Sequence, residues 1–217
     1  MFVFTYTCHV SSRIFFMEMG EFKVLDELTM SDAKRRSLGF PSILDFEASG
    51  FGVESYPIEV GVVVSSGERY CALICPHREW HHWSKDAHQL HGIDRSTLVE
   101  LGKPVAQVCT DLNALLKEST VYSDGWTQDQ PWLITLYHAA AMVPTFRLSP
   151  IEGIATEQQL MCWDDTKQQV QRNMGVLRHR ASSDALIIQQ TFIESRREAE
   201  SIAAEAASSL GPLRNSV

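Results

Sequence analysis

Two carboxylates stand two positions apart in SILDFEAS (42–49): Asp45 and Glu47, set among Ile43, Leu44 and Phe46. In an extended strand, alternation sends both acids to one face and Leu44 and Phe46 to the other. At ~4 Å and an effective dielectric near 20, their repulsion would be on the order of 4 kcal/mol. Such a pair is tolerated when it is protonated, salt-bridged, bound to cations, or solvated at a strand end. Far downstream, LRHRASSDAL places His179 five residues before Asp184. On a continuous helix they would point apart, so they converge only if His179 lies in a loop and Asp184 in a first helical turn. Ser182 or Ser183 is the expected N-cap of that helix. The bland alternative is an acid favoured by the helix dipole beside a solvent-facing histidine. Between these two segments, YSDGWTQDQPWL ends a strand and begins a helix, with Asp124 and Asp129 available.

The elements that must position these groups follow from hydrophobic spacing. SILDFEAS, IEVGVVVS and ERYCALIC read as three strands, the last two linked through Ser66-Gly67. PVAQVCTDLNALLKE carries Val105, Val108, Leu112, Leu115 and Leu116 at helical spacing. TVYS is a fourth strand, DQPWLITLYHAAAMV a helix, and FRLSPI a fifth strand. TEQQLMCWDDTKQQVQRN is a helix capped by Thr156, and SSDALIIQQTFIESRREAESIAAEAASS is the last helix. Three linked strands followed by alternating helices and strands predict a mixed α/β layer fold. The organisation is an N-terminal extension over 1–40, a domain over 41–207 and a tail over 208–217. Met17, Met19 and Met30 are alternative starts, and a start at Met30 leaves a full domain. Within the extension, Lys34-Arg35-Arg36 reads as a solvated run in preference to a phosphate contact.

The 217 residues are 44% hydrophobic and 21% charged, which excludes disordered, collagen-like and disulfide-scaffold classes. Nineteen basic against 27 acidic residues give a formal charge of −8, which argues against broad wrapping of duplex nucleic acid but not against an acid-built metal site. Five cysteines without CxxC spacing fit a reducing compartment. Cys71, Leu73 and Cys75 share one face of the third strand and read as core residues, not zinc ligands. The N-terminus is a poor signal peptide and WLITLYHAAAMV is too short and polar to span a bilayer. The expected setting is cytoplasmic, with no membrane association.

In the order LDFEASG, YSDGWTQDQPWL and HRASSDAL, the chain resembles the DEDDh 3′–5′ exonucleases, a group with an RNase H-like fold that includes RNase T and oligoribonuclease. LHGI at 90–93 adds to the resemblance, which covers about residues 42–195. It implies a five-stranded mixed sheet flanked by helices, with Asp45, Glu47, Asp129 and Asp184 as metal ligands and His179 as general base. Asp129 is preferred over Asp124 because Gln128-Asp129 matches the oligoribonuclease-like spacing. Asp124 departs from the usual Asn and is left as a secondary residue. Two Mg²⁺ or Mn²⁺ ions ~3.5–4 Å apart would clamp the attacking and leaving oxygens, and His179 would take the proton from the attacking water. Ala48, Ser49, Gly50 and Phe51 follow the first strand, where small residues let a terminal nucleotide approach the backbone. Trp126 is the candidate for base stacking, and Trp132 is expected in the core. Trp80 and Trp83 are further stacking candidates. Glu59 matches an acid common in the family and is read as bracing backbone. The expected substrate is the 3′ end of single-stranded RNA or DNA, with RNA favoured, and homodimerisation is left open. A non-catalytic nucleic-acid-binding module on the same fold, or a proofreading partner of a DNA polymerase, are the competing functions.

Overall fold

The computed structural model describes residues 31, 34–35, 39–176 and 179–209. β1 (Ile43–Ala48), β2 (Pro57–Val63), β3 (Arg69–Leu73), β4 (Thr120–Ser123) and β5 (Arg147–Pro150) form one sheet in the order β3-β2-β1-β4-β5. β1 pairs antiparallel with β2 and β2 with β3, whereas β4 runs parallel to β1 and β5 parallel to β4. Every residue of β2 is buried, as its near-continuous apolar sequence requires of a strand covered on both faces. The sheet is thus mixed, five-stranded and helix-covered, as expected.

The two faces are set by side-chain alternation along β1. Leu44 and Phe46 join Val60, Val62, Ala72, Val121 and Leu148 in one core. That core is covered by α3 (Val105–Leu116) and α4 (Trp126–Ala139) through Val108, Leu112, Leu133 and Leu136. Ile43 and Val63 face the other way, onto Leu186, Ile188, Phe192 and Ile193 of α6 (Ala181–Ser209), with Trp163 of α5 (Glu157–Met174) packed in the same cluster. Asp45 and Glu47 share the parity of Ile43, so they leave the sheet on the α6 side. Thr156 caps α5 through a reciprocal capping box with Gln159.

Four expectations need correction. First, α1 (Lys85–His91) and α2 (Arg95–Leu101) occupy a stretch in which no element was expected. Seven residues are too few to establish a helical period, and the Ser84 cap on Ala87 N–H is the local signal that was available. Second, the core face of β3 is the opposite one: Ala72 and Ile74 are buried, whereas Cys71, Leu73 and Cys75 are half-buried. Third, Arg35 is not solvated. It is 4% exposed, lies 4.1 Å over the Phe40 ring and bonds Gln189 of α6, because a planar guanidinium can stack while its N–H groups are satisfied. Finally, α6 begins at Ala181, so Ser182 and Ser183 lie inside its first turn. The last residues, 210–217, and most of the extension lie outside the described residues.

Candidate active site

The site is built at the C-terminal ends of the parallel neighbours β1 and β4, where chain connections diverge to opposite sides and leave a crevice. β2 supports it from one side. Asp45 is in register with Gly61 and Glu47 with Glu59, and the ladder shifts just after Glu47. Glu59 is fully buried and takes a bidentate pair from Arg180, with Nη2 at 2.6 Å and Nε at 3.1 Å from both carboxylate oxygens. Its Oε2 also accepts the N–H of Ala181 at 3.0 Å. An acid on β2 therefore caps α6, which is why no serine is needed there and why the bracing role expected of Glu59 is the observed one. Gly61 makes the approach possible, since a Cβ there would lie 2.1 Å from the carbonyl carbon of Ala181.

With α6 anchored in this way, Asp184 lies in its first turn and His179 in the loop before it. Asp184 Oδ2 accepts the His179 N–H at 2.9 Å and holds that residue in a left-handed conformation with φ 59°. One ligand atom each from Glu47, His179 and Asp184 lies within 4.8 Å of the others. Asp129 enters from the first turn of α4, is 2% exposed, and accepts the Ser123 hydroxyl. Ser123 in turn accepts the Gly125 N–H at 3.0 Å, which fixes the β4–α4 turn. Asp124 points elsewhere and pairs with Lys167 of α5. Asp45, Glu47, Asp129, His179 and Asp184 all line one cleft of about 280 Å³, together with Ala48, Gly50, Phe51, Gln128 and Trp132.

Burial and mutual repulsion dominate its electrostatics. Desolvation, then Asp129, Asp184 and Glu47, hold the Asp45 carboxyl well above the usual range. Glu47 is pushed up to about 8 by burial and then by Asp184 and Glu59, against the pull of Arg180. Burial raises Asp129 to about 7, opposed by its hydrogen bond from Ser123. Acids gathered this way favour protons or cations over the ionised, empty state.

The structure divides the expected substrate residues. Ala48, Gly50 and Phe51 line the cleft, and Phe51, 70% exposed, stands 6.4 Å from the Trp132 ring. Ser49 is turned inward, buried at 1%, where its hydroxyl meets His82 Nδ1 and accepts the Tyr56 N–H. Gly50 is required by packing, since a Cβ there would lie 2.4 Å from His82 Cε1. Trp126 opens α4 and does not line the cleft. Trp132 does line it, although it is buried as expected and its indole N–H reaches Ser55 Oγ at 2.8 Å. Trp80 stacks on Tyr56 and Trp83 meets His91, so both pack against the small cluster around Tyr56 and Ile58. Sequence reasoning missed Ala87, Leu90 and His91, which also line the cleft. His91 is 7% exposed, its Nδ1 accepts the Ile93 N–H, and burial pulls its pKa down to about 4, so it is a neutral ring. The LHGI segment was the available signal for it.

No protein-family model matches the chain, and no curated protein matches it. Solved structures do. E. coli exonuclease I in complex with a 5cy-dT13 oligonucleotide superposes at TM-score 0.56 with 13% identity, over 73% of this chain and 41% of that one. Exonuclease I without ligand gives 0.53 at 11% identity, over 76% and 44%. Exonuclease I of Methylocaldum szegediense gives 0.51 at 13%, over 72% and 39%. The chain thus spans about two-fifths of the length of these relatives. They are exonuclease I structures and do not support the RNase T or oligoribonuclease subgroup expected from the three motifs, within which the Gln128-Asp129 spacing is a two-residue signal too short to fix a subgroup. At such identities the likeness is one of architecture: the chain has the mixed five-stranded, RNase H-like α/β fold of the exonuclease I structures.

Proposed function

We propose that the chain is a divalent-cation-dependent 3′–5′ exonuclease that hydrolyses phosphodiester bonds at the ends of single-stranded DNA. The observation that carries this reading is the convergence of Asp45, Glu47, Asp129, Asp184 and His179 on one cleft, against the acids' own repulsion. The donor set fits Mg²⁺ or Mn²⁺: carboxylate oxygens are hard ligands, and cations relieve both burial and repulsion. Asp45, Glu47, Asp129 and Asp184 would hold two such ions, the number implied by the motif resemblance. When bound, the ions supply positive charge to the attacking and leaving oxygens.

The remaining steps belong to the chain. His179, held beside Glu47 and Asp184, accepts the proton of the attacking water. The water oxygen bonds to phosphorus as the bond from phosphorus to the 3′ oxygen of the preceding nucleotide breaks. The terminal nucleotide leaves as a 5′-monophosphate, and the released 3′ oxygen takes a proton from solvent to leave a 3′ hydroxyl on the strand. Gly50, Phe51 and Trp132 give that nucleotide a wall of small and aromatic surface, suited to bases without sequence preference.

The exonuclease I structures of this fold carry dT13 and dA16 strands, which supports DNA as substrate. RNA is the second reading, favoured by the spacing of Gln128 and Asp129. Matched 5′-labelled DNA and RNA oligonucleotides, incubated with Mg²⁺, Mn²⁺ or EDTA, test both. The expected outcome is a ladder shortened from the 3′ end, faster on DNA and absent in EDTA. Faster loss of RNA establishes the second reading. Intact strands of both kinds overturn the nuclease and leave the binding module.

A further inference from the structure

Asp124 is next in sequence to the cleft lining but does not itself line the cleft. It follows β4 directly and precedes Gly125, which lines the cleft. Its side chain is only 15% exposed, and its Oδ2 is held by the ammonium of Lys167, itself 24% exposed. Lys167 is on α5 and does not line the cleft. Asp124 is nonetheless within electrostatic reach of the acids, since it adds to the negative field on Asp45 and is the leading charge acting against Asp129. Divalent cations in the cleft would therefore compete with Lys167 for this carboxylate. At this position, where the motif resemblance has a neutral Asn, the chain has an acid and supplies an ammonium from another helix.

We propose that Lys167 is a positioning residue that keeps Asp124 out of the cation-holding set, so that the cleft works with four carboxylates although a fifth stands beside them. This rests on the divalent-dependent reading given above. A compact ammonium with three donors is suited to this role, because it neutralises the carboxylate and fixes its direction toward α5. Freed of Lys167, Asp124 adds one negative charge, and one more oxygen ligand, to the cleft.

Calorimetric titration of the full chain with Mn²⁺ at low ionic strength tests this on the wild type, Lys167→Met, Lys167→Gln, Lys167→Arg, Asp124→Asn and the Lys167→Met/Asp124→Asn double variant, each checked for folding by thermal denaturation. Both neutral substitutions at Lys167 are expected to tighten Mn²⁺ binding about tenfold, an effect that shrinks in added salt. The double variant is expected to return to wild-type affinity, and Lys167→Arg to stay there. Unchanged or weaker binding in the folded neutral variants overturns the proposal, as does a double variant that stays tight. If the wild type takes up no Mn²⁺, this proposal and the nuclease reading fall together. If the wild type binds and the Lys167 variants match it, only this proposal falls.

Discussion

Glu47 and Glu59 face each other across β1 and β2, and the two acids are treated differently. Arg180 and the α6 backbone hold Glu59, while Glu47 is left to the cleft with its carboxyl raised to about 8. A raised acid binds its proton more tightly in the folded chain than in the unfolded one. Its contribution to stability is present below its unfolded value and is lost as pH rises toward the folded one. For Glu47 that window runs from 4.5 to about 8, and for Asp129 from 3.8 to about 7. In EDTA, the melting temperature is therefore expected to fall as pH rises from near 6 to near 8, and saturating Mg²⁺ or Mn²⁺ should abolish the fall. A flat profile in EDTA would contradict the burial and repulsion described. By the same logic, Asp45→Asn in EDTA at pH 8 should melt higher than wild type, by roughly 2–4 °C per kcal/mol of repulsion relieved, while losing nuclease activity. His179→Ala should keep the fold and lower turnover by about 10²–10⁴-fold, the range for a general base. Single-turnover kinetics with an undiminished rate would remove His179 from the mechanism.

The elements matter here for where they begin. α6 delivers Asp184, and its first turn is fixed from β2 by Glu59 and by the space above Gly61. Gly61→Ala would drive a methyl into the backbone of Ala181, so the helix start must move. The expected cost is about 3 kcal/mol, at the upper end for overpacking, together with loss of activity. Urea denaturation and the nuclease assay read the two effects separately. Glu59→Ala removes the carboxylate beneath Arg180 and the cap on Ala181, with an expected loss of about 3 kcal/mol. A variant of either kind with wild-type stability and turnover would mean that α6 is positioned by its apolar face alone. α4 is pinned on the other side of the cleft by the link from Ser123 to Asp129.

Across the whole molecule, a formal charge of −8 argues against broad electrostatic contact with phosphates, and the cleft itself is lined by acids. Affinity for a single strand should then come from the cations and from the wall of Phe51 and Trp132. His179→Ala, loaded with Mg²⁺ or Mn²⁺, is expected to bind labelled dT oligonucleotides with a log–log salt slope no steeper than about −2, as for roughly three phosphates neutralised. EDTA should weaken binding far more than monovalent salt does. Fluorescence anisotropy measures both, and a steep slope unaffected by EDTA would point to a basic track outside the cleft. Among the described residues, no helix is long and apolar enough to cross a membrane.

Alternation along β1 and helical spacing in α3 and α5 are local properties, so the strands, the larger helices, the shared face of Asp45 and Glu47 and the capped start of α5 were all readable from the sequence. So was the condition that brings His179 to Asp184, a loop residue beside a first turn. Other features depended on partners distant in sequence. Asp129 lines the cleft, whereas Asp124 is paired with Lys167 of α5. The capping of α6 was settled by Glu59, more than 120 residues away. Trp132 reaches the cleft from within the core while Trp126 stays outside it, and Arg35 was buried by a phenylalanine ring and Gln189. Local propensity and parity act within a few residues, whereas ion pairing, capping in trans and cleft lining depend on what the fold brings alongside. The sequence by itself therefore determined which acids share a face, and tertiary contact decided which of them are left to the cleft.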